Sequence, residues 1–364
     1  MLRAMARPSL ALSLLFTFTA VGSLACDDGG DDRPGLPVKV FTHNLYLGSD
    51  LTALATIKDA AMVPTLTAEL WGNVQASNFP ERAKVLAAQI VSAAPDLVAL
   101  QEVTLYRRQF PSDYQPGDAT PNATEVALDF LDALMTEIAA AGGTYTVAGV
   151  ANNADAEFPV ADPGGVFDLR VTDRDVILAH EGVTTAFFNQ VDYPTSFSLT
   201  VGGAGGVPVT FRRSTSYLDA IVGDAVFKFA NAHLEIQRIA PVHAAQAQEL
   251  VDTYAGIPDP VLLLGDFNAD PGDAEYDLIM KQFTDVWTRV GSGTGATCCQ
   301  ADDLMNPTSS AGSRIDLVTY RGDFRPKTIE VIGTDPATGR TPDGLWPSDH
   351  FGVLSTVELL QPRE

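Results

Sequence analysis

The chain has 364 residues, 46% hydrophobic and 19% charged, which is enough apolar material for a large core and too much for general disorder. Its formal net charge is −23. So acidic a surface excludes a broad basic footprint on nucleic acid, and a polyanionic substrate would need a local basic or metal site.

Residues 1–25, MLRAMARPSLALSLLFTFTAVGSLA, place Arg3 and Arg7 ahead of an apolar run from Leu10 to Val21. That run is the length of a signal-peptide core and short for a membrane span. Small residues then lead to Cys26, and the segment resembles a bacterial lipoprotein signal peptide, in which the cysteine becomes the lipid-modified N-terminus. The expectation is export to the cell envelope with a lipid anchor at Cys26, which would tie the protein to a membrane. Ordinary cleaved secretion and a retained anchor are the other readings. Residues 26–36, with four aspartates and three glycines, read as a flexible acidic tether. The remaining cysteines, Cys298 and Cys299, are adjacent, as a vicinal disulfide or as two buried thiols; neither makes a disulfide framework.

PVKVFT (Pro37 to Thr42) predicts a first strand running into His43 and Asn44. A loosely patterned insertion, Leu45 to Asn78, holds a short helix around AELW. Phe79 to Ala94 is a helix by pattern, with Pro80 near its start and Leu86 and Ile90 in its apolar stripe. A short strand, Asp96 to Leu100, ends in Gln101 and Glu102. Thr124 to Ala141 reads as one helix, with Asn122 and Glu125 as a capping box. Strands follow at Tyr145 to Val150, Val166 to Val171, Asp175 to Ala179, Phe197 to Thr200, Pro208 to Arg212 and Ala225 to Ala230. Pro241 to Tyr254 and Glu275 to Gln282 are helical, and strands at Arg314 to Tyr320 and Gly352 to Leu359 close the pattern. Helices and strands are mixed without strict alternation and no linker divides residues 37–360, so a single α/β domain with partly antiparallel sheets is expected.

The chemistry concentrates where strands end. In VLLLGDFNADP (Val261 to Pro271) an apolar run turns at Gly265 and is followed by Asp266 and Asn268. Alone, that is equally a polar strand-to-loop turn. Other strands end in the same way: Asn44 after the first, Glu102 after LVALQ, His233 in NAHLE, and Asp349 and His350 ahead of the last. Asp316 sits between Ile315 and Leu317, where a carboxylate costs several kcal/mol unless paired or bound to metal. Singly, each could be a cap, a surface carboxylate or a satisfied core histidine.

Taken in order, HNLYLGSD, LQEV, NAHLE, GDFNADP, SRIDLV and SDHFG resemble the endonuclease/exonuclease/phosphatase superfamily, which includes pancreatic-type deoxyribonucleases, abasic-site endonucleases, neutral sphingomyelinases and inositol polyphosphate 5-phosphatases. The resemblance spans residues 37–360. It implies a four-layer α/β sandwich, two facing mixed sheets flanked by helices, with the site at one end of the sheets. It also implies divalent-metal-dependent phosphoester hydrolysis, with a nuclease-like phosphodiesterase first and a sphingomyelin, phospholipid or inositol-phosphate phosphoesterase second. Glu102 would be the principal Mg²⁺ ligand, with Asn44 and Asp349 close by and Mn²⁺ or Ca²⁺ as alternative ions. Asp266 would position or deprotonate the attacking water, and His350, oriented by Asp316, would contact the phosphate or help activate that water. Asn268 and His233 would bind phosphate oxygens, and Arg174 could clamp the phosphate, with Arg212 and Arg213 as weaker candidates. The substrate is a phosphoester, nucleic acid or phospholipid headgroup; no protein partner is implied. A non-catalytic surface binding protein that kept the fold is the reading of another class.

Overall fold

The structure, a computed structural model, describes residues 32–115, 120–223 and 225–361. The signal segment and Cys26 lie outside them. Along the chain come β1 (Gly35–Asn44), α1 (Val63–Ala76), α2 (Phe79–Ala93), β2 (Leu97–Gln101), β3 (Leu105–Gln109), β4 (Glu125–Asp129) and α3 (Phe130–Ala140). A strand-rich middle follows: β5 (Tyr145–Asp162), β6 (Gly165–His180), β7 (Thr184–Asp192), β8 (Phe197–Val201), β9 (Val207–Phe211), β10 (Ser214–Val222) and β11 (Ala225–His233). The last third holds α4 (Ala240–Ala255), β12 (Val261–Asp266), α5 (Ala274–Ile279), β13 (Thr284–Asp285), α6 (Trp287–Val290), β14 (Asp316–Arg321), β15 (Phe324–Ile332) and β16 (Gly352–Leu360).

Two large sheets result. The first runs β15-β16-β1-β2-β6-β3-β4, with β5 also paired to β6; the second runs β13-β14-β12-β11-β10-β7. Period two explains how they stack. On β2, Leu97 and Ala99 join Leu262 and Leu264 of β12 in the core between the sheets. Val98 and Leu100 point the other way, onto Leu86 of α2 and Leu134 of α3. Val261 and Leu263 likewise turn outward onto Leu250 of α4 and Ile279 of α5. Strands buried on both faces need continuous apolar runs, which is why these two were legible. The result is the expected four-layer α/β sandwich.

Three expectations change. Thr124 to Ala141 is not one helix. Its first part is β4, paired antiparallel to β3, and the helix begins after Asp129, whose carboxylate accepts from the Leu131 and Asp132 N–H groups. This cap leaves Val126 59% exposed, so the apolar spacing that suggested a longer helix was coincidental. The two strands expected within 166–179 are the single strand β6, which forms a long hairpin with β5 closed at Asp162 and Gly165. Strands β3, β7, β10, β13 and β15 are not expected from the sequence, since none offers a long continuous apolar run. A separate hairpin, β8–β9, stands apart from both sheets.

Candidate active site

Parallel pairing explains why polar strand ends meet. β1 runs parallel to β2, so Asn44 lies beside Gln101. β11 runs parallel to β12, which sets His233 beside Asp266. β14 runs antiparallel to β12 and begins where β12 ends, so Asp316 faces Asp266. The segment entering β16 is held against β1: His43 Nε2 and the His350 carbonyl are 3.0 Å apart. Asn44, Glu102, His233, Asp266, Asn268, Asp349 and His350 therefore line one cavity of about 550 Å³, with Asp316 behind His350.

Glu102 adopts φ 55°, which turns the chain sharply out of β2. Its Oε2 accepts the Leu47 N–H at 2.7 Å. Asn44 Nδ2 bridges the two sheets, 3.3 Å from Glu102 Oε1 and 3.0 Å from Asp266 Oδ2. Asn44 Oδ1 accepts the Tyr46 N–H at 2.9 Å. A backbone N–H can only donate, so this bond fixes the amide orientation. Asn44 Nδ2 thus spaces and orients two carboxylates, and its Oδ1, which accepts one N–H, keeps a second lone pair. Asp266 Oδ1 accepts the Asn268 N–H at 2.9 Å. Asn268 Nδ2 donates to the Leu234 carbonyl at 2.9 Å, which leaves its second amide hydrogen for a ligand.

Each histidine has a carboxylate behind it. His350 Nδ1 is 2.8 Å from Asp316 Oδ2, and its Nε2 is 3.9 Å from Asp266 Oδ2. His233 Nδ1 is 3.5 Å from Asp175 Oδ1, and its Nε2 is 3.8 Å from the same Asp266 oxygen. Arg213 adds to the second pair, with Nη1 3.0 Å from His233 Nδ1 and 2.9 Å from Asp173 Oδ2.

Burial alone would lower the His350 pKa, but the charges of Asp316, Asp349 and Asp266 carry it well above the usual imidazole range. Burial and Arg213 pull His233 down, and Asp175 and Asp266 outweigh them to raise it. Burial pushes Asp349 up to about 7, with the nearby Glu102 charge adding to the effect. Burial also lifts Asp173 to about 6, against the pull of Arg213. The floor of the cavity thus crowds Glu102, Asp349 and Asp266, an all-oxygen set whose mutual repulsion a hard divalent cation would offset. The ligand atoms of Asp266, Asp316 and His350 also lie within 4.8 Å of one another. The residues present therefore fit a divalent ion.

Arg174 does not reach the cavity. Its Nε donates to the Val103 carbonyl at 2.7 Å and its guanidinium pairs with Asp129, so it ties β6 to the start of α3. Side-chain alternation on β6 sends its neighbours Asp173 and Asp175 to the site instead. Arg213 lines the cavity instead, as does Arg238. Gly265 does not make room for phosphate: a Cβ there would lie 1.9 Å from the Ala232 carbonyl oxygen, so the glycine lets β12 approach β11. Phe267 is fully buried and packs with Leu263 and Ala232.

One further residue supports the site from outside the motifs. Arg82 of α2 is 0% exposed. It donates to the carbonyls of Leu45, Tyr46, Ser77 and Pro347 at 2.7–3.0 Å. The signal was present: Arg82, Leu86 and Ile90 share one helix face, so the arginine sits on the buried stripe. The vicinal pair Cys298–Cys299 forms a disulfide, and both residues line the cavity beside His350.

A model of the Endonuclease/Exonuclease/phosphatase family matches residues 41–350. Nocturnin of Drosophila melanogaster is 28% identical in a 173-residue alignment that covers 38% of this chain and 26% of that protein; the match spans about a quarter of that relative's length. Among solved structures, the mannosyl-6-phosphatase of Bacteroides thetaiotaomicron VPI-5482 is 18% identical with a TM-score of 0.52, over 88% of this chain and 99% of that one. D. rerio TDP2 complexed with single-strand DNA product is 16% identical with a TM-score of 0.51, over 88% and 98% of the two chains. These structural likenesses concern the fold, and the family model covers both ends of the site, from β1 to His350. The chain belongs to the Endonuclease/Exonuclease/phosphatase family.

Proposed function

We propose that this protein is a divalent-metal-dependent phosphoesterase, a nuclease-like phosphodiesterase exported to the cell envelope. One arrangement carries the proposal: His233 Nε2 and His350 Nε2 stand 3.8 and 3.9 Å from the same oxygen, Asp266 Oδ2. Two imidazoles facing one carboxylate from two sheets leave a gap suited to a phosphoryl group and an attacking water. The family's members are phosphoester hydrolases, and the mannosyl-6-phosphatase and the DNA-bound TDP2 support that chemistry.

Glu102, Asn44 and Asp349 would hold Mg²⁺, or Mn²⁺ or Ca²⁺ in its place, which when bound offsets charge on the nonbridging phosphate oxygens. The chain's own residues do the rest. Asp266 orients the water and receives its proton as the water oxygen bonds to phosphorus. His350, kept protonated by Asp316, donates through Nε2 to a phosphate oxygen, and His233 and Asn268 donate to others. As the ester P–O bond breaks, the departing oxygen recovers a proton from the imidazolium side, so Asp266 and His350 share the proton traffic.

The test is hydrolysis of bis(p-nitrophenyl) phosphate, plasmid DNA, RNA, sphingomyelin liposomes and inositol phosphates, with Mg²⁺ or with EDTA. Metal-dependent cleavage is expected, with Glu102→Gln and His350→Ala each losing about 100-fold or more. Unchanged activity in both variants would place the site elsewhere, and no cleavage of any of these substrates with or without metal would favour the non-catalytic reading. Mass spectrometry of the mature N-terminus tests export: a diacylglyceryl-modified Cys26 supports the lipid anchor, and an unmodified residue downstream of it refutes the anchor.

A further inference from the structure

The catalytic cavity is not polar throughout. One side continues into an apolar wall formed by Phe197 and Leu199 of β8, Phe211 of β9, Leu51, and Ile236 with Ile239 after β11. The phosphate chemistry needs none of these side chains. They are nonetheless placed by the same segments that place the site. Phe211 is two residues before Arg213, whose guanidinium holds His233; two residues of extended chain span roughly 7 Å. Ile236 follows His233 by three residues, and Leu51 follows by four the Leu47 N–H that holds Glu102. The wall therefore adjoins the site residues within one cavity.

The β8–β9 hairpin explains why the wall is stiff. Val201, Val207 and Val209 anchor it on Leu54, Ile57, Val63 and Phe158 in a small core of its own. The same hairpin face, further along, turns Phe197 and Phe211 toward the cavity with their rings stacked, centroids 5.9 Å apart and planes 24° from parallel. Its other face, Ser198, Thr200 and Pro208, is exposed. Polar residues outside and aromatic residues inside make a built lining, not a sticky surface patch.

We propose that this wall is a specificity subsite for a flat aromatic ring carried by the ester group next to the phosphate, so that the substrates are small ring-bearing phosphate esters. The proposal rests on the phosphoesterase reading and deepens it. Aromatic side chains stack a ring by area and quadrupole without reading its hydrogen-bond pattern; Asp50, Thr52 and Arg238 are among the polar residues that line the cavity beside these apolar ones. A net charge of −23 disfavours a long polyanion, and a cavity of about 550 Å³ accommodates a small molecule rather than a duplex. The ring could come from a nucleoside or from a simple aryl alcohol; the shared chemistry is the stacked ring.

Binding, not turnover, tests this, so that loss of the phosphoesterase reading remains distinguishable. The full protein with Mg²⁺ is titrated calorimetrically with methylphosphonate, phenylphosphonate, thymidine 5′-monophosphate and dodecylphosphonate. Phenylphosphonate is expected to bind about tenfold more tightly than methylphosphonate, the low end of what one aromatic stacking contact contributes. Phe197→Ala and Phe211→Ala should reduce that ratio to near one while methylphosphonate affinity stays unchanged. Phe197→Leu, which keeps the hairpin packed without a ring, should lose most of the ratio, and Thr200→Ala on the outer face should keep it. Thymidine 5′-monophosphate matching or exceeding phenylphosphonate assigns the ring to a nucleoside; weaker binding assigns it to an aryl ester. Equal affinity for methyl- and phenylphosphonate, a ratio that survives both alanine variants, or tightest binding by dodecylphosphonate overturns the proposal. Ring preference without any hydrolysis would overturn the phosphoesterase reading and leave the subsite standing.

Discussion

Replacing Arg82 by methionine separates support of the site from its chemistry. Arg82 touches no reacting group, yet it grips both loops that carry them. Its guanidinium holds the Leu45 and Tyr46 carbonyls, one residue ahead of the Leu47 N–H that positions Glu102, and the Pro347 carbonyl, two residues ahead of Asp349. It also lies 5.0 Å over the Phe79 ring and 5.7 Å over the Phe130 ring. Burial pulls its pKa down to about 10, so it remains charged at neutral pH. Methionine keeps the volume but leaves four carbonyls without their donor. Four charge-assisted hydrogen bonds at roughly 1.5 kcal/mol each, less the desolvation cost that methionine avoids, amount to a loss of about 3–5 kcal/mol. With an unfolding entropy of ~2.1 cal/mol/K per residue over the unit Pro34–Glu364, that lowers Tm by about 4–7 °C. Activity on bis(p-nitrophenyl) phosphate should fall at least tenfold even well below Tm, since Glu102 and Asp349 lose their fixed separation, on the order of the cost of a misplaced catalytic group. Arg82→Lys, which keeps the charge but reaches fewer carbonyls, should lie between. A Tm within about 1 °C of the parent together with full activity would refute the idea that Arg82 ties the two loops.

Two further outcomes follow from the same geometry. Asp349 has its folded pKa raised to about 7 by burial and Glu102, so the folded state holds this proton more tightly than the unfolded one. In EDTA, stability should therefore fall as pH rises from about 4 toward 7, by about 2–4 kcal/mol at most. Mg²⁺ should recover it most at and above neutral pH, and Asp349→Asn should flatten the decline; a slope that persists in that variant would exclude Asp349 as its source. Gly265→Ala places a Cβ 1.9 Å from the Ala232 carbonyl oxygen at φ +141°, so strands β11 and β12 must separate. A loss of about 3 kcal/mol or more in urea unfolding is expected, and a loss below about 1 kcal/mol would show that the strands can shift freely.

What the sequence revealed divides along physical lines. Asp266 was legible because four apolar residues announce a strand buried on both faces, and a carboxylate at its end must serve something. Asp316 was legible because a charge between Ile315 and Leu317 needs a partner, and His350 is that partner. Arg174 misled because a sequence shows that an arginine is near a site but not which face of the strand it occupies. One position of alternation separates it from Asp173 and Asp175, which are the groups that reach His233 and Arg213. The orientation of Asn44 was illegible because it is fixed by a backbone N–H, that of Tyr46, not by residue type. Strand β4 was hidden because Val126 stands four residues before Phe130 and Leu128 three before Leu131, a helical spacing, and only pairing with β3 decides against the helix. Long-range pairing overrides local spacing in each of the misread segments.

The machinery is divided between two sheets that meet through their shared core and a few polar bridges. The first brings Asn44, Glu102 and the segment with Asp349 and His350; the second brings His233, Asp266 and Asp316. Neither half alone holds a complete set, and the Asn44 amide bonds to a carboxylate of each, as His233 pairs with Asp175 and Asp266. A substrate gripped by both histidines would act as a rivet across the seam, so occupancy should slow hydrogen exchange on β1 and β12 together, far into a core that the substrate never touches.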